Sequence, residues 1–484
     1  SERDAGYVGQ ITANSFMKRE FGKKLIEQFF KTVNLTHVID TSGAYIPGHG
    51  TPTVILVGRN HSYRQDDPVR AVLGVRGEPS QPTEPAKGLV WSAIVRQIKE
   101  VGSESEWVSV ADFERVQFAR YPWSLAGGGA PELTAAVERA PLRLAAREIE
   151  TGRTTHTGLD DAFYLPKTAS RTRALAKVTV PVVLGEGVRD YDLYTATWTL
   201  FPYTQDAEKR ELTVAEHKMF WSNRTVLRER VDFGEKPEER GLRWFDHSMF
   251  FPVRYRAPLS IAFAFVATHN HFVLDRGGKV FKQSAPVIKL PEGAGEDEHL
   301  ELLGVLNSST ACFWLKQVCH NKGGPGGGYS KGEKWRDFYE FTGTKLQEFP
   351  LPAVLPLNLG RALDSLAQDL AAQEPSAIAE AATPTRERLD DARAEHARIR
   401  ARMIALQEEL DWTVYHSYGL LDDTERAQLT ASDLDSVPEV KLGERAFEIV
   451  LARKVAAGEA ETAWFERHGS TPITDIPAHW PEWY

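Results

Sequence analysis

Residues 7–59 alternate strand and helix in a way that leaves few architectures open. Val8-Gly-Gln-Ile-Thr12 reads as a strand, Phe16 to Val33 as a helix, and Leu35 to Asp40 and Thr53 to Val57 as strands joined by a Gly/Pro turn. Apolar strands alternating with an amphipathic helix predict an α/β sheet. Such a domain is expected to open with its first strand and a cofactor loop. This chain opens on what reads as a late segment, so the earlier part is expected to be missing or supplied by another polypeptide.

At 484 residues the chain has room for two to four domains. No apolar run approaches the roughly 20 residues that a membrane span needs, so no membrane association is expected. The polar start Ser-Glu-Arg-Asp is not a signal peptide. Two cysteines, Cys312 and Cys319, suit a reducing cytoplasm. With His320 they could form half a zinc site, but no second half follows, so buried thiols are the expected reading and no metal is. The net charge of −9 argues against nucleic acid until it is divided. Residues 357–484 carry 13 Lys/Arg against 24 Asp/Glu, whereas residues 1–356 carry 45 against 43. The acidity belongs to the tail, and a duplex needs only a local positive surface.

Four segments are expected. Residues 1–90 are the α/β part, with Ala71–Val75 as a further strand. Residues 91–165 read as mixed, with helices near Trp91–Val101, Val110–Ala119 and Glu132–Glu150. Residues 166–356 are rich in β-branched and aromatic residues, as in Val178–Leu184, Leu259–Val266 and the hairpin-like His271–Lys282, and read as α+β. Residues 357–484 turn helical. Arg386 to Leu410 carries apolar residues every three or four positions, and Leu357–Gln373 is its expected helical partner across the linker Gln373–Thr385.

Two groups of residues carry nucleic-acid chemistry. Between Lys316 and Lys345 lie six Lys/Arg and three acids, interleaved with Tyr329, Trp335 and Tyr339 and with five glycines in Gly323–Gly328. Glycine lets a backbone approach phosphates, cations neutralise them, and aromatic rings stack on bases. Lys322, Tyr329, Lys331, Lys334 and Arg336 are the contacts expected here; a plain connector is the other reading. In the β-rich region Arg224, Arg228, Arg254, Arg256, His269, Asn270, His271 and Arg276 are of base-reading type, since Arg reads guanine and Asn reads adenine. Each could equally be solvated or salt-bridged. A hydrolase elbow is absent, and Pro438-Glu-Val-Lys441 is too short and acidic for a nuclease core.

Gly9-Gln-Ile-Thr-Ala-Asn-Ser-Phe16, Phe21–Ile26 and Val38–Leu56 resemble the last third of the catalytic domain of amino-methyltransferases of DNA. More closely they resemble the PglX-like adenine-specific methyltransferases of BREX phage-defence systems. Leu442–Glu448 and Glu461–Gly469 resemble that group's tail. Thr155–Phe163 looks like the element that opens its recognition domains, and Glu409–Leu420 like the helix that follows them.

The resemblance implies a fold. It is an α/β remnant of a Rossmann-like methyltransferase domain, then an α+β target-recognition domain, then an α-helical C-terminal region. It also implies S-adenosylmethionine as methyl donor, bound mainly outside this chain, double-stranded DNA as partner, and possible contact with other BREX proteins. The family's Asn-Pro-Pro-aromatic catalytic loop is not in the sequence. Gly127-Gly-Gly129 follows Trp123-Ser-Leu-Ala126 rather than an apolar strand, so it makes a poor cofactor loop. In the family, a residue just before a proline in the turn after this strand walls the extruded base. Tyr45, beside Ile46 and Pro47, is the residue expected to do so here. A DNA-specificity subunit without chemistry of its own is the alternative reading.

Overall fold

The computed structural model of the chain describes residues 6–63, 67–324 and 334–484. It is a mixed α/β structure that divides into two compact units. One unit comprises the described residues up to Ala140 with Val266–His269 and Cys312–Pro350. The other comprises Pro141–Phe265, Asn270–Ala311 and Leu351–Tyr484.

The first unit is built on a five-stranded sheet. Its strands are β1 (Tyr7–Ala13), β2 (Asn34–Asp40), β3 (Thr53–Arg59), β4 (Pro68–Gly74) and β5 (Val108–Glu114), in the spatial order β1-β3-β2-β4-β5. β1 and β2 each run antiparallel to β3, β2 runs parallel to β4, and β5 is antiparallel to β4. Hence β1, β2 and β4 point the same way, and Ala13, Asp40 and Gly74 end at one edge.

Strand alternation explains the two cores. Val38, Val69, Ala71 and Leu73 face Phe16, Ile26, Phe30, Phe118 and Trp123 on one side. Ile39 and Val72 face Val90, Ala93, Ile94, Val108 and Val110 on the other. The helix Leu89–Gln97 covers that second face. Glu78 fixes its start, since its carboxylate accepts from the amides of Leu89 (2.7 Å) and Val90 (3.0 Å).

Three local expectations need correction. Val110–Ala119 is helical only as a 3-10 stretch from Arg115 to Ala119: Val108–Glu114 is a strand held along its length by β4. The expected helix Phe16–Val33 is short turns of 3-10, α and π type rather than one rod. Glu132–Glu150 is α-helical only to Glu138, with a separate 3-10 stretch at Leu144–Arg147.

In the second unit, Thr179–Val183 pairs with Thr197–Leu200 and, in parallel, with Val280–Phe281. Ser260–Phe263 pairs with Phe272–Asp275 and Val287–Lys289. The segment His271–Lys282 therefore sends its two strands to different sheets and is no hairpin. The linker Gln373–Thr385 contains a helix, Pro375–Ala381, between the helices Leu357–Ala372 and Arg386–Ser417. Among the described residues no helix is long and apolar enough to cross a membrane.

Candidate nucleotide-binding cavity

In open α/β sheets, ligands bind beyond the carboxyl ends of the strands. The first unit has a cavity of about 370 Å³ at that edge. Asn14 follows β1, Asp40 ends β2 and Gly74 ends β4, and all three line it. Its opposite wall comes from residues some 300 positions later, chiefly Lys316, His320, Trp335 and Tyr339.

Their placement follows from a small sheet. His320–Gly323 runs antiparallel to Phe338–Glu340, which also pairs with Val266–Ala267. The glycine-rich stretch therefore joins two adjacent strands, and both of its flanks face the cavity. Lys18 Nζ donates to the carbonyl of Lys316 at 2.9 Å. Lys316 Nζ lies 5.4 Å from the centre of the Tyr339 ring. Ser124 donates to Gln317 Oε1 at 2.8 Å, and Asn321 Nδ2 donates to Asp337 at 2.8 Å. Burial, then the charge of Arg19, lowers His320 to about 4; Glu340 opposes this, and Lys322 and Lys18 add to it. Its imidazole is thus neutral at pH 7, a hydrogen-bonding group rather than a cation.

Two glycines are required by packing. A Cβ on Gly74 would sit 2.4 Å from an Asp40 carboxylate oxygen. Gly74→Ala should push that carboxylate off its position and cost about 1 kcal/mol, readable as a lower thermal midpoint. An unchanged midpoint would show that Asp40 is free to swing. A Cβ on Gly127 would meet Ser109 Oγ at 2.5 Å and the Leu73 carbonyl oxygen at 3.2 Å. Gly127 is thus accounted for by the protein's own atoms. Ala126 makes one parallel bridge to Gly74, and the helix Ala130–Glu138 follows Gly129. That is a strand–glycine–helix arrangement of minimal length. Nothing in it shows a fit to S-adenosylmethionine.

Tyr45 lies in the turn between β2 and β3, half-buried against a separate cavity of about 40 Å³ lined also by Ile46 and His49. Pro47 is exposed. Ser42 lines both cavities, so the expected base-stacking turn adjoins the larger one. The turn is pinned by a 2.7 Å hydrogen bond between the hydroxyls of Thr41 and Thr53 and by Ser42 N donating to Asp40 Oδ1 at 2.8 Å.

The other expected contacts divide. Lys322 is exposed, 3.6 Å from Glu340, and Arg336 stands 5.9 Å from the Trp335 ring centre. Tyr329, Lys331 and the side chain of Lys334 lie outside the described residues. In the second unit Arg224 stacks on Trp221 at 4.1 Å, Arg228 is exposed with Glu238 at 3.5 Å, and Arg256 is exposed. His269 is exposed, its Nδ1 3.1 Å from the Thr268 hydroxyl.

Four others are engaged inside the second unit. Asn270 is buried and donates to the Leu306 carbonyl at 2.6 Å. His271 is buried, with Nδ1 2.7 Å from Asp190. Arg254 pairs with Glu150 at 2.8 Å. Arg276 bridges Glu296 (2.5 Å) and Asp364 (2.7 Å). A groove-reading role for these four would require breaking those bonds. Cys319 is buried, which pushes its thiol up to about 12. The sequence signals missed were Asn14, Lys18 and Asp40, ordinary polar residues that only the topology gathers.

Comparison with known proteins gives three results. Residues 403–484 match the model of a domain of unknown function, DUF7008. The chain is 50% identical, over 496 aligned positions, to the adenine-specific methyltransferase PglX of Streptomyces coelicolor; the match covers 99% of this chain and 40% of that protein. Two solved structures are similar at low level. One is the type IIL restriction-modification enzyme MmeI in complex with DNA: TM-score 0.46, 10% identity, 88% of this chain and 49% of that one. The other is the type IIG restriction endonuclease BpuSI: TM-score 0.35, 12% identity, 86% and 48%. Likeness at those scores fixes no property of this chain.

Proposed function

From the kinship of this chain with the adenine-specific methyltransferase PglX, 50% identity across 99% of its residues, we propose that it is the DNA-recognising portion of a DNA adenine N6-methyltransferase. The identity is the observation that carries the reading. It supports an enzyme that uses S-adenosylmethionine and marks host DNA in phage defence, with the catalytic Asn-Pro-Pro-aromatic loop and the cofactor loop outside this chain. We take residues 166–356 as the target-recognition segment. Double-stranded DNA is the partner in this reading; other defence proteins are a further expectation of it.

The cavity chemistry fits a nucleotide. Lys18 and Lys316 suit a phosphate, Trp335 and Tyr339 suit the face of a base, and Asp40, Asn14 and Asn321 suit its polar edge. An adenine must leave the duplex to be methylated, and a walled cavity beside the Tyr45 turn suits such a base. The role of this chain's residues is to bind and orient; no proton or methyl transfer is assigned to them.

The test is fluorescence anisotropy of the 484-residue chain on a labelled mixed-sequence duplex at low and moderate salt. Affinity should fall steeply with salt, and Lys316→Ala should weaken binding about threefold and reduce the logarithmic salt slope by about one. Absence of binding at low salt would sink the reading.

A further inference from the structure

Asp232 and Glu235 exchange both backbone hydrogen bonds, at 3.1 and 3.2 Å, around the two-residue tip Phe233-Gly234. The tip residues have φ of +57° and +84°. Left-handed backbone at both central positions is the type I′ turn, which favours Asn, Asp or Gly. Phenylalanine at the first position is sterically disfavoured. Burial would ordinarily offset that cost, yet Phe233 is 81% exposed, the most exposed large apolar side chain among the described residues. The ring contact recorded for it is the Arg240 guanidinium, 5.7 Å from its centre. Neither local conformation nor packing accounts for the residue, and strain kept in a turn tip that faces outward points to a partner.

The base of the tip is rigid. The Asp232 carboxylate accepts from Ser248 and lies 3.8 Å from Arg240, which itself donates to Ser248 Oγ (3.0 Å) and to the Ser248 carbonyl (2.7 Å). Next to it Arg230 is buried, and its guanidinium donates to the carbonyls of Thr157, Trp244 and Asp246. The chain around the tip carries both signs: Lys218 and Arg228 lie at the surface and Trp221 is exposed under Arg224, while Glu229, Glu235, Glu238 and Glu239 are exposed too. Glu229 and Glu238 are paired with Lys236 and Arg228, and exposed pairs of this kind hold each other weakly.

We propose that Phe233 is a wedge that enters a base step of duplex DNA, with Arg224 and Arg228 on the flanking phosphates. This rests on the DNA-binding reading and adds to it a particular contact and its geometry. Apolar wedges unstack a step and hold the duplex bent. Their contribution comes from stacking rather than from phosphate charge.

The experiment compares the wild-type chain with Phe233→Gly on a labelled mixed-sequence duplex. Three quantities are read: the thermal midpoint, the anisotropy isotherm at two salt concentrations, and permanganate reactivity of thymines as a report of unstacking. Glycine accepts the tip's backbone, so Phe233→Gly should melt at or above the wild-type temperature. It should bind roughly tenfold more weakly with the salt slope unchanged, and lose permanganate-reactive thymines. Equal affinity and equal reactivity in both proteins would overturn the wedge while leaving DNA binding intact. Loss of self-association without loss of DNA affinity would assign the ring to a second copy, and would also overturn it. Wild-type protein that binds no DNA would remove the DNA reading and the wedge with it.

Discussion

Incubated with duplex DNA and radiolabelled S-adenosylmethionine, the 484-residue chain is expected to transfer no measurable methyl group, even where it binds the DNA tightly. Methyl transfer to an adenine amino group needs a donor held in line with an extruded base and groups that stabilise the charge developing on the nitrogen. Those interactions account for many orders of magnitude in rate, and binding alone replaces none of them. The sequence has no Asn-Pro-Pro tripeptide, and in its one early glycine cluster Gly127 is packed against Ser109 and Leu73. Addition of a polypeptide bearing the catalytic and cofactor loops should restore N6-methyladenine. The measurement is scintillation counting of the recovered DNA with mass spectrometry of its nucleosides. Turnover by the chain alone would show that a donor site exists within these residues and that the division of labour proposed above is wrong.

Acid should destabilise the second unit through His247. This imidazole is fully buried, with Nε2 2.9 Å from the Leu200 carbonyl and Nδ1 2.5 Å from the Thr155 hydroxyl. A carbonyl only accepts, so Nε2 carries the proton and Nδ1 accepts from Thr155. Burial lowers the group from 6.5 to about 4, helped by the Arg230 charge and opposed by the hydrogen bond to Leu200. The folded form therefore binds a proton less readily than the unfolded form. Its full contribution is present above pH 6.5 and is lost as pH falls toward 4. The loss should reach about 2 kcal/mol at pH 5 and about 3 kcal/mol at pH 4. Urea unfolding at pH 7 and pH 5 reads it, with His247→Gln as the comparison because glutamine keeps one donor and one acceptor. The wild type should lose about 2 kcal/mol more than the variant between the two pH values. Identical losses would mean that another group governs the acid limb.

The central strands were legible because their chemistry is local. Leu35–Asp40 and Thr53–Val57 are short, apolar and rich in β-branched residues, and the structure has them as β2 and β3. Arg386–Leu410 was legible for the same kind of reason, since its apolar spacing leaves a helix as the one outcome. Val110–Ala119 misled because Val110, Phe113 and Phe118 fall near helical spacing, while the deciding influence is the ladder to β4, some 40 residues away. No window of sequence contains that partner.

The cavity was illegible in a stronger sense. Asn14, Asp40 and Gly74 meet only because β1, β2 and β4 share a direction. His320 and Trp335 join them through a pairing that no spacing rule announces. What the sequence did supply was residue chemistry: a cationic, aromatic stretch near Lys316–Lys345, whose described flanks wall the site.

β1 has a consequence for anyone who handles this chain. Its inner edge is bonded to β3; among the described residues nothing pairs with its outer edge, and Tyr7, Val8 and Ile11 are each more than half exposed. Nothing in Tyr-Val-Gly-Gln-Ile-Thr-Ala discourages another strand: no charge, no proline, no bulge against its partner. Two copies offering the same bare edge are templates for each other. Self-association that rises with concentration is therefore the expected behaviour of these seven residues. A lysine placed at Val8 or Gln10 is a simple way to keep the protein dispersed.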